Sequence, residues 1–281
     1  MDVAGVLRER WDLKPLRVEV LTGGMNSAAW LAAGDGWRVV LKAVELGDSA
    51  FEPGLELAAR LDDGGVMTGR PRLSKGGRLV ERVDGPQVAV LEYVGGTELA
   101  ESPEDQAAIG DLLGRVHTIA ALEPGDLDDW LQLLTQFDEY LDLEPWIRPA
   151  VENAIAGAWA LGPVSWAWLH GDPAAEAFLR QPDGQVALID WGSAMQGPIL
   201  YDVASAVMYA GSPDHVVPAY LHQRPELTHE LARGLTPYLH IRWAVQATYF
   251  AWRTANNILT GISTPTENHR GLSDARRCFE A

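Results

Sequence analysis

Cysteine is nearly absent: the 281 residues hold one, Cys278, close to the C-terminus. A disulfide framework is therefore excluded, and a catalytic thiol is not expected. Lysine is almost as scarce, with Lys14, Lys42 and Lys75 the only three. No apolar run reaches the eighteen or so residues that a membrane-spanning helix needs. The opening residues, Met1 to Arg8, lack a basic-then-apolar leader pattern, so a cytoplasmic protein is expected. Internal repeats and low-complexity tracts are also missing. So is a basic surface: net charge is −17, which disfavours nucleic acid as a partner.

The acidity is uneven. Through Gly95 there are 14 acids against 12 lysines and arginines; beyond it there are 25 acids against 10 arginines and no lysine. A cationic ligand would be drawn to that second part. Apolar residues make up 47% of the chain, enough for a packed core in one large domain or two lobes.

The most informative stretch runs from Trp168 to Gly192. His170-Gly171-Asp172-Pro173 cannot be helix interior, since Gly and Pro flank the acid. Residues 177–180 and 185–189 are apolar-rich runs joined by Gln181-Pro182-Asp183-Gly184, the pattern of a hairpin. Asp190 stands where the second run ends. Such a hairpin is expected to return Asp172 and Asp190 towards one edge. Phosphoryl transfer uses one carboxylate to orient the acceptor hydroxyl and take its proton, and another to hold magnesium. Asp172 suits the first task and Asp190 the second.

His170-Gly171-Asp172 and Ile189-Asp190-Trp191-Gly192 resemble the catalytic and metal-binding motifs of the aminoglycoside phosphotransferase family. Gly197 to Ala204 resembles the segment that follows, in which Asp202 would support the catalytic loop together with His170. The resemblance implies an α+β, bilobal protein-kinase-like fold using ATP and Mg2+. It implies an N-terminal β-sheet lobe, placed at 1–94, and a mostly helical C-terminal lobe, 95–281. One departure stands out. The family usually carries a magnesium-binding asparagine five residues after the catalytic acid, and this chain has Ala177 there; Glu176, next to it, is the substitute candidate.

Upstream, residues 3–11 suit a short helix, and 16–21, 28–32 and 37–44 suit strands. The turn holding Gly23, Gly24, Asn26 and Ser27 would let backbone N–H groups approach phosphates. Lys42, inside the apolar run Trp37 to Val44, resembles the kinase lysine that grips the α- and β-phosphates. Residues 51–61 read as a helix whose Glu56, with Glu52 in reserve, would pair with Lys42. Strands are expected at 77–83 and 87–93. In the kinase-like reading Glu92, Tyr93 and Val94 form the hinge that reads adenine through its backbone.

Downstream, Ser102-Pro103-Glu104-Asp105 has the look of a helix N-cap. His117 is expected to be structural. Residues 123–144 interleave eight acids with Trp130, Phe137 and Tyr140, so Asp138 and Asp142 are candidates for binding a cationic small-molecule substrate, with Trp243 and Trp252 further on. Helices are expected at 227–235 and, separately, at 238–259, with a fraying tail after Gly261. Through the resemblance the expected activity is inactivation of a cationic antibiotic, an aminoglycoside or a capreomycin- or viomycin-like cyclic peptide. The alternatives are a metabolic small-molecule kinase and a catalytically inert nucleotide-binding protein.

Overall fold

The computed structural model of the chain describes residues 1–21 and 27–280. In chain order it forms α1 (Val3–Trp11), strands β1 (Arg17–Leu21), β2 (Ala28–Gly34) and β3 (Trp37–Val44), and α2 (Phe51–Asp63). The short β4 (Pro71–Arg72) and β5 (Glu81–Arg82) lead to β6 (Gln87–Glu92) and β7 (Thr97–Glu98). Then come α3 (Pro103–Ile119), β8 (Ala121–Leu122), α4 (Leu127–Thr135), α5 (Ile147–Ala160), β9 (Trp166–Leu169), β10 (Phe178–Arg180), β11 (Val186–Leu188) and β12 (Met195–Pro198). The chain closes with α6 (Ile199–Ala210), α7 (Val216–Gln223), α8 (Thr228–Ala255) and α9 (Pro265–Glu280). This is an α+β arrangement, and no helix among the described residues is long and apolar enough to cross a membrane.

The chain divides into two compact units. One comprises Met1–Leu99 with Glu176–Met195, the other Ala100–Ala175 with Gln196–Ala281. This differs from a single break after Val94. Residues 176–195 group with the N-terminal segment because β10 pairs with β7 as well as β11, through Leu179 opposite Glu98, in a separate three-stranded sheet.

In the first unit the antiparallel order is β1-β2-β3-β6-β4, with β5 also on β6. Side chains alternate across a strand, so Val39, Leu41 and Ala43 of β3 share one face. They pack with Val3, Val6, Leu7 and Trp11 of α1. Lys42 emerges on the opposite face. Its partners across the ladder are Ala29 on β2 and Ala89 on β6, so small neighbours leave its stem room. Only Glu81 and Arg82 of the run expected as a strand at 77–83 pair with β6, since Ser74 to Arg78 form a turn closed by Ser74 N–H to Arg78 O.

The second unit is mainly helical. Helix α3 begins where expected, Ser102 Oγ accepting the Asp105 N–H at 3.1 Å. The expected break near Pro237 does not occur: α8 runs unbroken over 28 residues. Its buried face of Leu231, Gly234, Tyr238, Ile241 and Ala244 packs on α5 and α6, which outweighs the one N–H that proline lacks. The tail does not fray either. Helix α9 docks on α8, with Leu272 and Ala275 buried. Arg253, itself 1% exposed, donates to Asn268 Oδ1 at 3.0 Å and to the Thr260 carbonyl at 2.6 Å, tying the loop and α9 to α8.

One glycine couples α2 to the stretch that carries Asp190. A Cβ on Gly54 would lie 2.2 Å from the Trp191 carbonyl oxygen, closer than any side chain tolerates. Gly54→Ala is therefore expected to cost about 1–3 kcal/mol of stability through overpacking. Urea denaturation of the purified variant measures this, and an unchanged midpoint would contradict the packing described.

Candidate active site

Strand β11 ends at Leu188, and the Ile189 N–H donates back to the Ala177 carbonyl at 2.9 Å. Asp190 then adopts a left-handed conformation, φ 66° and ψ 61°. Aspartate tolerates that region better than most residues, and such strain concentrates at functional positions. The side chain of Asp190 is 61% exposed, whereas that of Lys42 is 14% exposed, and Lys42 Nζ is ion-paired to Asp190 Oδ1. Gly192 makes room for this pair: a Cβ there would lie 3.0 Å from Lys42 Nζ.

Glu56 does not take the role expected of it. The side of α2 that meets Trp191 is the Gly54 side, joined by Phe51, Leu55 and Ala58. Glu56 and Glu52 each lie two residues from Gly54, about 200° round the helix, and both are exposed. Glu56 instead lines a cavity shared with Trp11, Arg60 and Arg72. Lys42 is thus oriented by Asp190 and not by the helix.

Residues 92–94 line a second, open cavity of about 910 Å³, with Arg38, Met67 and Gly69 among its walls. The Glu92 carboxylate is occupied by Arg72 Nε at 2.5 Å, and the Arg38 guanidinium lies 4.4 Å from the centre of the Tyr93 ring. The Glu92 carboxylate and the Tyr93 ring are therefore engaged elsewhere, and the backbone N–H groups of these two residues donate to the Arg70 and Arg38 carbonyls at 2.9 and 3.3 Å. Gly23, Gly24 and Asn26 lie outside the described residues; Ser27 is part-buried just before β2.

Asp190 offers an exposed, hard oxygen donor. Mg2+ characteristically takes one or two carboxylates and completes its shell with water and phosphate oxygens, so this donor suits it. Ala177 is 5% exposed and presents no side-chain oxygen; Glu176, exposed beside it, carries one. Among the described residues no group of three His, Cys, Asp or Glu side chains converges as a metal site.

In the second unit β9 delivers His170, Gly171 and Asp172. Asp202 on α6 has no solvent exposure, and its carboxylate accepts the His170 N–H at 2.7 Å and the Gly171 N–H at 2.9 Å. His117 Nε2 lies 3.2 Å from the same carboxylate, and its Nδ1 lies 2.9 Å from Tyr220 Oη. Burial pushes the Tyr220 hydroxyl well above its ordinary value, so it stays protonated and donates to Nδ1. His117 is structural, a link between Tyr220 and Asp202.

Asp172 is about half exposed, and its Oδ1 accepts from Tyr209 Oη at 2.6 Å and from Arg242 Nη2 at 3.0 Å. Neither Tyr209 nor Arg242 is flagged by any motif. The 70 residues between Asp172 and Arg242 hide the pairing from local sequence patterns. Burial, above all, pushes Tyr209 upward, with Arg242 opposing and Asp172 adding, although 39% of the residue's surface is exposed. Arg242 is held above its ordinary value by Tyr201, Tyr209 and Asp172 despite the opposing effect of burial.

Three of the four residues expected to bind a cation, Asp138, Asp142 and Trp252, are otherwise occupied. Arg148 donates from Nε and Nη2 to the two oxygens of Asp142, both at 2.8 Å, and from Nη1 to Asp138 at 2.8 Å. Its hydrogen bonds hold the Asp142 carboxyl below the usual range. Trp252 stacks on Phe137, centroids 5.0 Å apart, which pins the Asp138 turn to α8; Trp243 is part-buried on the same helix.

Removing the Asp202 carboxylate would orphan two buried backbone donors and His117. Asp202→Ala is accordingly expected to cost about 3–5 kcal/mol. Chemical denaturation reads this directly, and a loss no larger than that of a surface substitution would contradict the loop description.

Comparison with known proteins places these features in a family. A protein of Deinococcus radiodurans, itself uncharacterized, is 29% identical over 82% of this chain and 76% of its own. A spectinomycin phosphotransferase solved with ADP and spectinomycin superposes with a TM-score of 0.70 at 13% identity, covering 98% of this chain and 93% of that one. The choline kinase of Streptococcus pneumoniae superposes at 0.71 and 18%, covering 96% and 94%. An aminoglycoside 2'-phosphotransferase in complex with GDP gives 0.65 and 15%, covering 98% and 94%. These likenesses show a protein-kinase-like fold. The model of the phosphotransferase enzyme family matches residues 17–234, and the chain belongs to that family.

Proposed function

We propose that the protein is an ATP-dependent O-phosphotransferase acting on a hydroxyl of a small, cationic molecule, with antibiotics of the aminoglycoside or basic cyclic-peptide class as the first candidates. The observation that carries this reading is the Lys42–Asp190 ion pair at the end of β11, in a chain of this family that also presents Asp172 after β9. Nucleotide use is supported by relatives of the same fold solved with ADP and GDP. The charge of the chain beyond Gly95 supports a cationic acceptor.

In this reading Lys42 would hold the α- and β-phosphates, and Asp190, with Glu176 as a second donor, would hold magnesium. When bound, magnesium neutralises charge on the β- and γ-phosphate oxygens. The backbone of residues 92–94 would read the base, and the turn at Gly23, Gly24, Asn26 and Ser27 would cover the phosphates. Asp172 would orient the acceptor hydroxyl and take its proton, while the γ-phosphoryl group passes to that oxygen. Asp202 and His170 would keep the loop in place. A cytoplasmic location, with neither nucleic acid nor membrane as partner, accords with the strongly acidic composition.

A specific observation favours a second acceptor class. Arg148 compensates Asp138 and Asp142, and Arg242 compensates Asp172, so the local fixed charge is smaller than the sequence count implies. A metabolic amino alcohol or sugar then becomes a competing acceptor. Ala177 in place of asparagine keeps an inert nucleotide-binding protein as a third outcome.

An ADP-release screen decides among these, using aminoglycosides, spectinomycin, capreomycin, viomycin, choline, ethanolamine and neutral sugars. The expected result is turnover with a hydroxylated cation, reduced about 10²- to 10⁴-fold in kcat by Asp172→Asn. Turnover confined to neutral sugars would replace the cationic acceptor, and turnover untouched by the substitution would overturn the role of Asp172. No ADP from any acceptor would favour the inert protein.

A further inference from the structure

Arg242 is an expensive residue to keep where it stands. It is 7% exposed, and its Nε is buried with no partner among the described residues. Burying a guanidinium without satisfying every donor is costly, and ion pairs of this kind are poor sources of stability. Among the described residues Asp172 is the one carboxylate paired with it. Arg242 also donates from Nη2 to Tyr209 Oη at 2.8 Å, which leaves the tyrosine proton directed at Asp172 Oδ1. The three groups close a triangle around a single carboxylate oxygen.

Helix spacing explains how the triangle is built. Asp202 and Tyr209 stand seven residues apart on α6, so they share one face about two turns apart. One face of α6 thus grips the loop twice, at the backbone of His170 and Gly171 through Asp202 and at the side chain of Asp172 through Tyr209. Arg242 arrives from α8, which packs on α6.

We infer that Arg242 and Tyr209 are positioning residues for the acceptor-side carboxylate, clamping Oδ1 of Asp172 so that Oδ2 alone receives the incoming hydroxyl. This rests on the phosphotransferase reading above and deepens it. A carboxylate free to rotate offers either oxygen in many directions. One with an oxygen tied by two donors offers a single oxygen in a single direction, which is what a near-attack geometry requires. The clamp also places a cation directly behind the acid, so the group that approaches Oδ2 does best as a neutral hydroxyl. An acceptor's ammonium groups would be held elsewhere.

Two measurements test the clamp, and only one needs an acceptor. The first is a denaturation cycle of Asp172→Asn, Arg242→Met and the double variant. The expected result is non-additivity: Asp172→Asn lowers the midpoint when Arg242 is present and has little effect once Arg242 is Met. Additive shifts would overturn the clamp, and this arm reads out even if the protein transfers phosphate to nothing tested. The second is steady-state kinetics with whichever acceptor supports ADP release. Tyr209→Phe, which keeps the ring and is expected to fold, should lower kcat roughly 5- to 10-fold, the worth of one hydrogen bond, with the nucleotide KM unchanged. Arg242→Met should lower kcat on the order of 100-fold, the scale of a misplaced group, with Arg242→Lys recovering part of the loss. Retention of kcat within about twofold, less than one hydrogen bond is worth, in both Tyr209→Phe and Arg242→Met would overturn the inference while leaving the phosphotransferase reading intact.

Discussion

Asp202 bears its carboxylate with no solvent exposure, and the placement of the loop at 170–172 depends on the donors gathered around it. Two of those donors are the backbone N–H groups of His170 and Gly171, which any loop after a strand must satisfy somehow. A buried carboxylate satisfies them more strongly than water, and it fixes the loop's direction as well. His117 and Tyr220 extend the network, so a histidine from α3 and a tyrosine from α7 are both committed to the same anchor. With the backbone fixed at 170–171, the position of the next residue, Asp172, is nearly decided.

A related principle recurs in the other unit with different parts. Asp190 leaves β11 in a left-handed conformation and meets Lys42, whose stem rises between two alanines of neighbouring strands. In each unit an exposed carboxylate is matched with a largely buried cation, Lys42 for Asp190 and Arg242 for Asp172. Such pairs contribute little to stability for what they cost, which points to a role in orientation.

Much of this was legible in the sequence because it is local. The Gly and Pro pattern around Asp172, the hairpin turn at 181–184 and the lone lysine in an apolar strand need no knowledge of distant residues. The Ser102 cap and the β1–β3 periodicity are equally short-range. What escaped was tertiary. Glu56 looked suited to Lys42 by analogy, yet Gly54 dictates which side of α2 meets Trp191, and that glutamate lies on the other. Asp138 and Asp142 read locally as candidates for binding a cation, yet Arg148 holds both. The break expected at Pro237 was outweighed by packing on both sides of it, and the polar tail by the contacts of Arg253 and Leu272. Arg242 and Tyr209 carry no local signature; only the i, i+7 spacing from Asp202 to Tyr209 hinted at a shared face.

The central claim is a division of labour, with the nucleotide and its metal held through Lys42 and Asp190 and the acceptor handled by Asp172. Calorimetric titration of ATP, with and without Mg2+, into the wild type, Asp190→Asn and Asp172→Asn tests it most directly. The account predicts that magnesium strengthens ATP binding in the wild type and in Asp172→Asn but not in Asp190→Asn. Magnesium-dependent binding that survives in Asp190→Asn, or disappears in Asp172→Asn, would contradict it.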